Sequence, residues 1–307
     1  MEWQEELSDF TEYLKLQRGL TDNSVRAYRG DIEKLIKYLS EEHPEVKPEM
    51  LETQHLQGFI VWLSENKISP RTQTRIVSGI KSFYKNLILS EKLEEDPTEQ
   101  FQPPKIGRKL PTILSVEEIE AMEATFNTNK YDGVRNRAIM ETIYSCGLRV
   151  SELTELKLSN LHLDKGYIGV EGKGRKERVI PIGEKAGLYI NEYVNGMRKT
   201  QKITEGMDDF VFLNRSGNKL SRIMIFNIIK EAAQKAGIDK VISPHTLRHS
   251  FATHLVDGGA NLRAVQQMLG HESIMTTEIY THLDDTYLRS TLQQHHPYLD
   301  DEEQDKE

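Results

Sequence analysis

The first hundred residues place apolar side chains at helical spacing. Leu7, Phe10, Leu14 and Leu16 form the stripe of a first helix. Thr21 caps a second, whose stripe is Tyr28, Ile32, Leu35, Ile36 and Leu39. Thr53 caps a third, through Leu56, Phe59, Ile60 and Leu63. Ser69 and Pro70 read as an N-cap and first helical residue, where proline's missing N–H costs nothing and its fixed φ suits the helix. The fourth helix then runs through Ile76, Ile80, Phe83, Leu87 and Ile88. Four helices with short connections predict a small bundle over residues 1–93. Residues 94–111 hold Pro97, Pro103, Pro104, Gly107 and Pro111 with little apolar content, which predicts an extended linker.

The pattern changes after Thr112. Ser115-Val-Glu-Glu118 matches a capping box. A helix over about 133–146 ends at Gly147, and a short helix starts near Val150. Tyr167–Val170 and Arg178–Ile182 read as strands joined by the turn Gly172-Lys-Gly-Arg175. Helices follow at about 184–199 and 221–236, with a short strand at Phe210–Leu213. The stretch 243–294 is helical, broken at Gly258-Gly259 and Gly270. The prediction is a mainly α chain with a small β-sheet (α+β). It divides into a helical domain (1–93), a linker (94–111), a second domain (112–299) and an acidic tail (300–307).

Composition narrows the class. At roughly 150 residues per domain, 307 residues suit two domains. No apolar run approaches the roughly 20 residues of a membrane span. Met1–Leu20 is acidic and periodic, unlike a signal peptide. The single cysteine, Cys146, excludes an internal disulfide framework and a cysteine-cluster metal site. A soluble, cytoplasmic protein without a membrane partner is expected. The net charge of −8 argues at first against nucleic acid. The tail alters that: Asp300, Asp301, Glu302, Glu303, Asp305 and Glu307 against Lys306 account for −5, leaving −3. Local clustering of bases, rather than the total, decides DNA binding.

Several residues could carry chemistry, and each has an ordinary reading beside it. In Ser243-Pro-His-Thr-Leu-Arg-His-Ser250, His245 and Arg248 fall in the first turn of a helix, three apart and on one face. That end also offers free N–H groups, which suits a phosphate; a basic surface turn is the alternative. Arg149 can clamp phosphate bidentately or simply pair with Glu152 at the surface. Lys173, with Arg175, Lys176 and Arg178, makes a basic hairpin tip that could equally be a solvated turn. His271 follows a helix-ending glycine, where a structural hydrogen-bonding role is equally open. Tyr280 alone would read as half-buried packing. His254, His282, His295 and His296 have no spacing that suggests a metal.

The joint order of Arg149, Lys173, His245-x-x-Arg248, Gly270-His271 and Tyr280 resembles the tyrosine recombinases, the phage integrase-like family. Ser243 to His282 carries the likeness most strongly, and it extends from the bundle to His295-His296-Pro297. Within the family the chain looks like the Xer subfamily, which resolves chromosome dimers. The resemblance implies a core-binding, DNA-binding bundle followed by a catalytic domain. It implies Arg149, Lys173, His245, Arg248, His271 and the nucleophile Tyr280 as catalytic residues, working without cofactor, metal or ATP. It implies as partners a double-stranded recombination site, a tetramer of recombinase protomers that can include a paired Xer protein, and a septal DNA translocase. The helix near 285–294 looks like the element that packs into a neighbouring protomer. Arg26, Arg29, Arg71, Arg75 and Lys81 are the bundle's candidate DNA contacts. Two other readings stay open: a mobile-element integrase, which the lack of an added arm-binding domain before residues 1–10 disfavours, and a catalytically silent DNA-binding protein, which would not need Tyr280.

Overall fold

The computed structural model describes residues 1–104, 112–172, 177–270 and 285–297, with side chains in the last segment described from Ser290. The chain forms two compact units, Met1–Lys109 and Leu110–Glu307. Among the described residues it is mainly helical with one small sheet, the class its periodicity predicts.

The first unit packs α1 (Trp3–Leu16), α2 (Asp22–Glu42), α3 (Thr53–Glu65) and α4 (Pro70–Leu89) around one core. Phe10, Ile32, Leu35, Phe59, Leu63, Ile76, Phe83 and Leu87 are fully buried, and the Phe10 and Phe83 rings meet edge-to-face with centroids 5.4 Å apart. Thr21 and Ser69 cap α2 and α4 as expected, each side chain accepting an N–H of the first turn. Three local readings are corrected. Leu16 is 73% exposed, because two residues beyond Leu14 the helix has turned away from the core. The third helix is capped by Glu52 rather than Thr53; the Glu52 N–H is taken by His55 Nδ1 at 3.0 Å. Beyond residue 93 the chain does not leave the bundle at once. Thr98 and Phe101 are buried against it, so a single aromatic anchors the proline-containing stretch.

The second unit is built on α6 (Tyr131–Cys146). Residues 138–146 of this helix are buried throughout, so it lacks an amphipathic stripe. Around it lie α5 (Val116–Ala124), α7 (Val150–Thr154), α8 (Glu184–Asn195), α9 (Arg222–Lys235), α10 (Pro244–Asp257), α11 (Leu262–Leu269) and α12 (Asp285–His295). Strands β1 (Leu161–His162), β2 (Tyr167–Glu171) and β3 (Glu177–Pro181) form an antiparallel sheet in the order β1-β2-β3, with Val170 opposite Arg178. The expected strand at 210–213 is instead two isolated bridges, Lys157–Phe210 and Leu213–Lys219. Side chains take its backbone bonds: Arg198 donates to the carbonyls of Phe210 and Val211, and the Tyr193 hydroxyl accepts the Leu213 N–H. The helix expected to reach 199 stops at Asn195 and resumes as a 3-10 turn at Arg198–Thr200.

The end of α12 is buried in its own unit. Thr291, Leu292 and His296 are each less than 5% exposed. The His296 ring lies 4.9 Å from Tyr144 and 5.8 Å from Phe251. Burial pushes its imidazole down to about 3, and the neighbouring charges of His254 and Lys185 act the same way. One face of the helix end expected to serve a neighbouring protomer, at Thr291, Leu292 and His296, is therefore packed within its own unit, while Gln293 and Gln294 stay exposed. Among the described residues no helix is long and apolar enough to cross a membrane.

The two cores share no residue, so their stabilities should separate. Phe10→Ala should cost the first unit about 3–5 kcal/mol. Calorimetry should then show one transition moved to lower temperature and the other unmoved.

Candidate active site

Two glycine-terminated helices set the site. Gly147 ends α6 with φ +58°, and an added Cβ would meet Phe251 Cδ1 at 2.5 Å. Gly270 ends α11 with φ +61°, and a Cβ there would press on the Arg178 guanidinium from 3.0 Å. Only glycine meets both demands, a left-handed backbone and a neighbour packed against Cα. The carbonyls freed at these two ends accept from three arginines. Arg248 Nη1 donates to Gly147 O and Nη2 to Leu269 O, both at 2.6 Å. Arg149 Nη2 donates to Gly270 O at 2.8 Å. Arg178 Nε donates to Met268 O at 3.3 Å.

One carboxylate joins these groups. Glu152, in the first turn of α7, accepts the Arg149 N–H and the Arg149 Nη1, each at 2.8 Å. It also accepts both terminal nitrogens of Arg178, at 2.7 and 3.0 Å, across 26 residues of sequence. Arg248 Nη1 lies 3.8 Å from the same carboxylate. Burial pushes the Glu152 carboxyl up, but the bonds from Arg178 and from the Arg149 backbone outweigh it and hold it below the usual range. Burial pushes Arg248 down to about 10, helped by the charges of Arg149 and Arg178 and opposed by Glu152. It remains a cation at neutral pH. Among the described residues, three guanidinium groups against one carboxylate leave two positive charges in a partly enclosed place. Glu152 is only 3% exposed at its side chain, whereas Arg149 is 34% exposed and can still reach a ligand.

Of the residues expected from sequence, the structure brings Arg149 and Arg248 together through Gly147, Glu152 and Gly270. Ser243 and Pro244 occupy the N-cap and N1 of α10, as expected, with the Ser243 N–H bonded to Thr246 Oγ1 at 3.1 Å. His245 is exposed at the start of that helix, while Arg248 is turned into the protein. Both line a groove of about 460 Å³ between α10 and α11, with His249, Gln266 and Leu269. Lys173, His271 and Tyr280 lie outside the described residues. Lys173 belongs to the connection between β2 and β3, whose last described partners are Glu171 and Glu177.

Two residues of the cluster were missed. Glu152 passed as an ordinary surface partner of Arg149, yet it is buried and takes up two arginines. Arg178 passed as part of a basic hairpin tip. Its strand parity was the available signal: it shares a sheet face with Ile180, which is 1% exposed, and an arginine on a core-facing position needs a buried acceptor.

Comparisons with known proteins give the family. Residues 112–286 match the model of the phage integrase family, and residues 7–91 match the phage integrase N-terminal SAM-like domain. A curated relative in Listeria innocua, "Tyrosine recombinase XerD", is 38% identical over 291 residues, covering 95% of this chain and 98% of its own length. The Tn1549 transposon integrase in complex with circular intermediate DNA superposes with a TM-score of 0.71 at 20% identity, covering 93% of this chain and 98% of that one. A lambda integrase tetramer bound to a Holliday junction superposes with a TM-score of 0.67 at 19% identity, covering 91% and 80%. At such identities the two structures speak for the fold alone.

Removing the Glu152 charge should leave its arginines unneutralised. Glu152→Gln should cost about 3 kcal/mol or more, as breaking a buried ion pair does. The pH dependence has a sign. A carboxyl held below its unfolded value stabilises fully above about pH 4.5, and that stability drains as pH falls through the lower folded value. Melting temperatures between pH 3 and 7 should fall toward acid in the parent, and this component should be missing in Glu152→Gln.

Proposed function

The chain belongs to the phage integrase family and is a tyrosine recombinase, and from that premise we propose that it cuts and rejoins DNA at a specific site, with Tyr280 as nucleophile, to resolve chromosome dimers at cell division. The observation that carries the reading is the cationic cluster of Arg149, Arg178 and Arg248 around the carboxylate of Glu152. Such a cluster fits a phosphodiester that gains charge as it reacts.

In this mechanism the Tyr280 oxygen attacks the scissile phosphorus and the bond to the 5′-oxygen breaks. The products are a 3′-phosphotyrosyl link and a free 5′-hydroxyl. A 5′-hydroxyl from a partner strand reverses the step, so one phosphodiester replaces another and no external energy source enters. A tyrosine of ordinary pKa near 10 is about one part in a thousand ionised at pH 7, so its proton must leave during attack. His245, exposed at the head of α10 beside Arg248, accepts that proton. Arg149 and Arg248 bind the non-bridging oxygens, and their fixed bonds to carbonyls and to Glu152 mean little reorganisation on reaction. Lys173 protonates the leaving 5′-oxygen, and His271 donates a hydrogen bond to the phosphate. Arg178 acts through Glu152, whose Oε1 accepts from both arginines.

Four such protomers on two DNA sites give the Holliday junction, with a paired Xer protein as alternate protomer and a septal DNA translocase as the timing partner. The work is done in the cytoplasm, on the chromosome. For such an assembly the α12 end would have to leave its own unit or dock on the neighbour with its other face.

Incubation with nicked fragments of host chromosomal DNA tests the proposal, since a nick lets the short cleaved piece diffuse away and traps the adduct. Denaturation should leave protein covalently attached to DNA from one locus. Tyr280→Phe should abolish attachment and keep non-covalent binding. Arg149→Ala should slow attachment by about 10²–10³. Attachment that survives Tyr280→Phe overturns the assignment of the nucleophile.

A further inference from the structure

We infer that Asp31 is a positioning residue that holds the Arg75 guanidinium for a DNA phosphate on the face shared by α2 and α4. The inference rests on the reading of the chain as a DNA recombinase. It starts from an asymmetry between the bundle's arginines. Arg29 pairs with Glu33 and Arg26 with Asn23, partners on the same helix and exposed to water. Arg75 is different. Its Nη1 and Nη2 donate to the two oxygens of Asp31, at 2.5 and 2.7 Å, from one helix to another 44 residues away. The Asp31 side chain is 2% exposed and that of Arg75 is 49% exposed. The carboxylate sits inside, and the cation it grips faces out.

The anchor is tightly seated. A Cβ added to Gly79 would lie 3.0 Å from Asp31 Oδ2, so the carboxylate fills space that glycine leaves on α4. Burial pushes the Asp31 carboxyl up, against the bonds from Arg75. A carboxylate buried beside a half-exposed cation is a poor means of stabilisation, because its desolvation offsets much of the attraction. Orientation is what the pair does supply. A guanidinium has five N–H donors in a plane, and the fork to Asp31 uses one on each terminal nitrogen. The Nε edge keeps two parallel donors, the geometry that takes a phosphate bidentately. The surroundings suit an anion. Helix α4 carries Arg71, Arg75, Lys81 and Lys85 and no acid, in a chain of net charge −8. Arg71, Arg75 and Ser78 follow at one-turn spacing on its exposed face, and Lys34 on α2 adds charge beside Asp31. A single face with fixed donors and small neighbours matches a duplex backbone.

Fluorescence anisotropy of the full chain on a mixed-sequence DNA duplex at low salt tests this by sign. Asp31→Asn removes a negative charge near the DNA, so plain electrostatics makes binding tighter. Positioning predicts about tenfold weaker binding. In an Arg75→Gln background, itself weakened, Asp31→Asn should weaken binding no further, which a general loss of bundle structure would not reproduce. Gly79→Ala, which keeps both charges and presses on the carboxylate, should also weaken binding. Thermal melts of each variant establish that the bundle is folded, and Gly79→Ala serves if Asp31→Asn is not. Unchanged or tighter binding by a folded Asp31→Asn, or an equal loss in both backgrounds, overturns the inference while leaving the recombinase reading standing. Failure of the unmutated chain to bind the duplex overturns both.

Discussion

The catalytic unit depends on keeping a carboxylate ionised where water barely reaches it. Glu152 is buried, and burial alone pushes its carboxyl up. It stays charged because an N–H at the head of α7, one guanidinium from its own helix start and one from β3 all donate to it. Each donor needs a different piece of the fold: the turn after Gly147, the short helix α7, and a strand whose inward parity carries Arg178. The arginines are then fixed without being neutralised. Their remaining donors reach the carbonyls at the ends of α6 and α11, which two left-handed glycines expose. Helix ends that would elsewhere be capped by solvent become the walls of a cationic site.

Much of that site can be read from residue order, and the reason it is incomplete is physical. Arg149, His245 and Arg248 announce themselves because glycine, proline and cap residues fix where their helices start, and the structure keeps those starts. Lys173, His271 and Tyr280 are legible as chemistry in a fixed order, while their placement lies outside the described residues. Glu152 and Arg178 are not legible as partners, since a bond across 26 residues depends on where the fold brings β3 and α7, which no local pattern encodes. The same limit explains smaller differences. Leu16 kept its hydrophobicity but lost its face, and Phe101 buries itself in a segment whose prolines signal a linker. The segment 210–213 has strand-like composition, but Arg198 takes the carbonyls of Phe210 and Val211 and Tyr193 the Leu213 N–H, and the segment pairs through isolated bridges instead of a ladder.

The two units show one device at two scales. In each, a buried carboxylate grips an arginine that still faces solvent, Glu152 with Arg149 and Asp31 with Arg75. A net charge of −8 is no obstacle to binding DNA on this design. Local cations are aimed by internal acids, and −5 of the total lies in the last eight residues, away from either pair in sequence. Free arginines on a surface lose rotamer entropy on binding; an arginine already gripped has less to lose.

The central claim is that the arginine cluster stabilises charge developing on a phosphate. Single-turnover cleavage by Arg149→Ala tests it most directly, on paired substrates carrying either an ordinary scissile phosphate or a methylphosphonate, which lacks the non-bridging charge. If charge neutralisation is the arginine's work, the variant should cleave the uncharged linkage much faster than the charged one, recovering most of the roughly 10²–10³ lost. Equal and slow cleavage of both would contradict the account, and would assign Arg149 to holding the fold of the site alone.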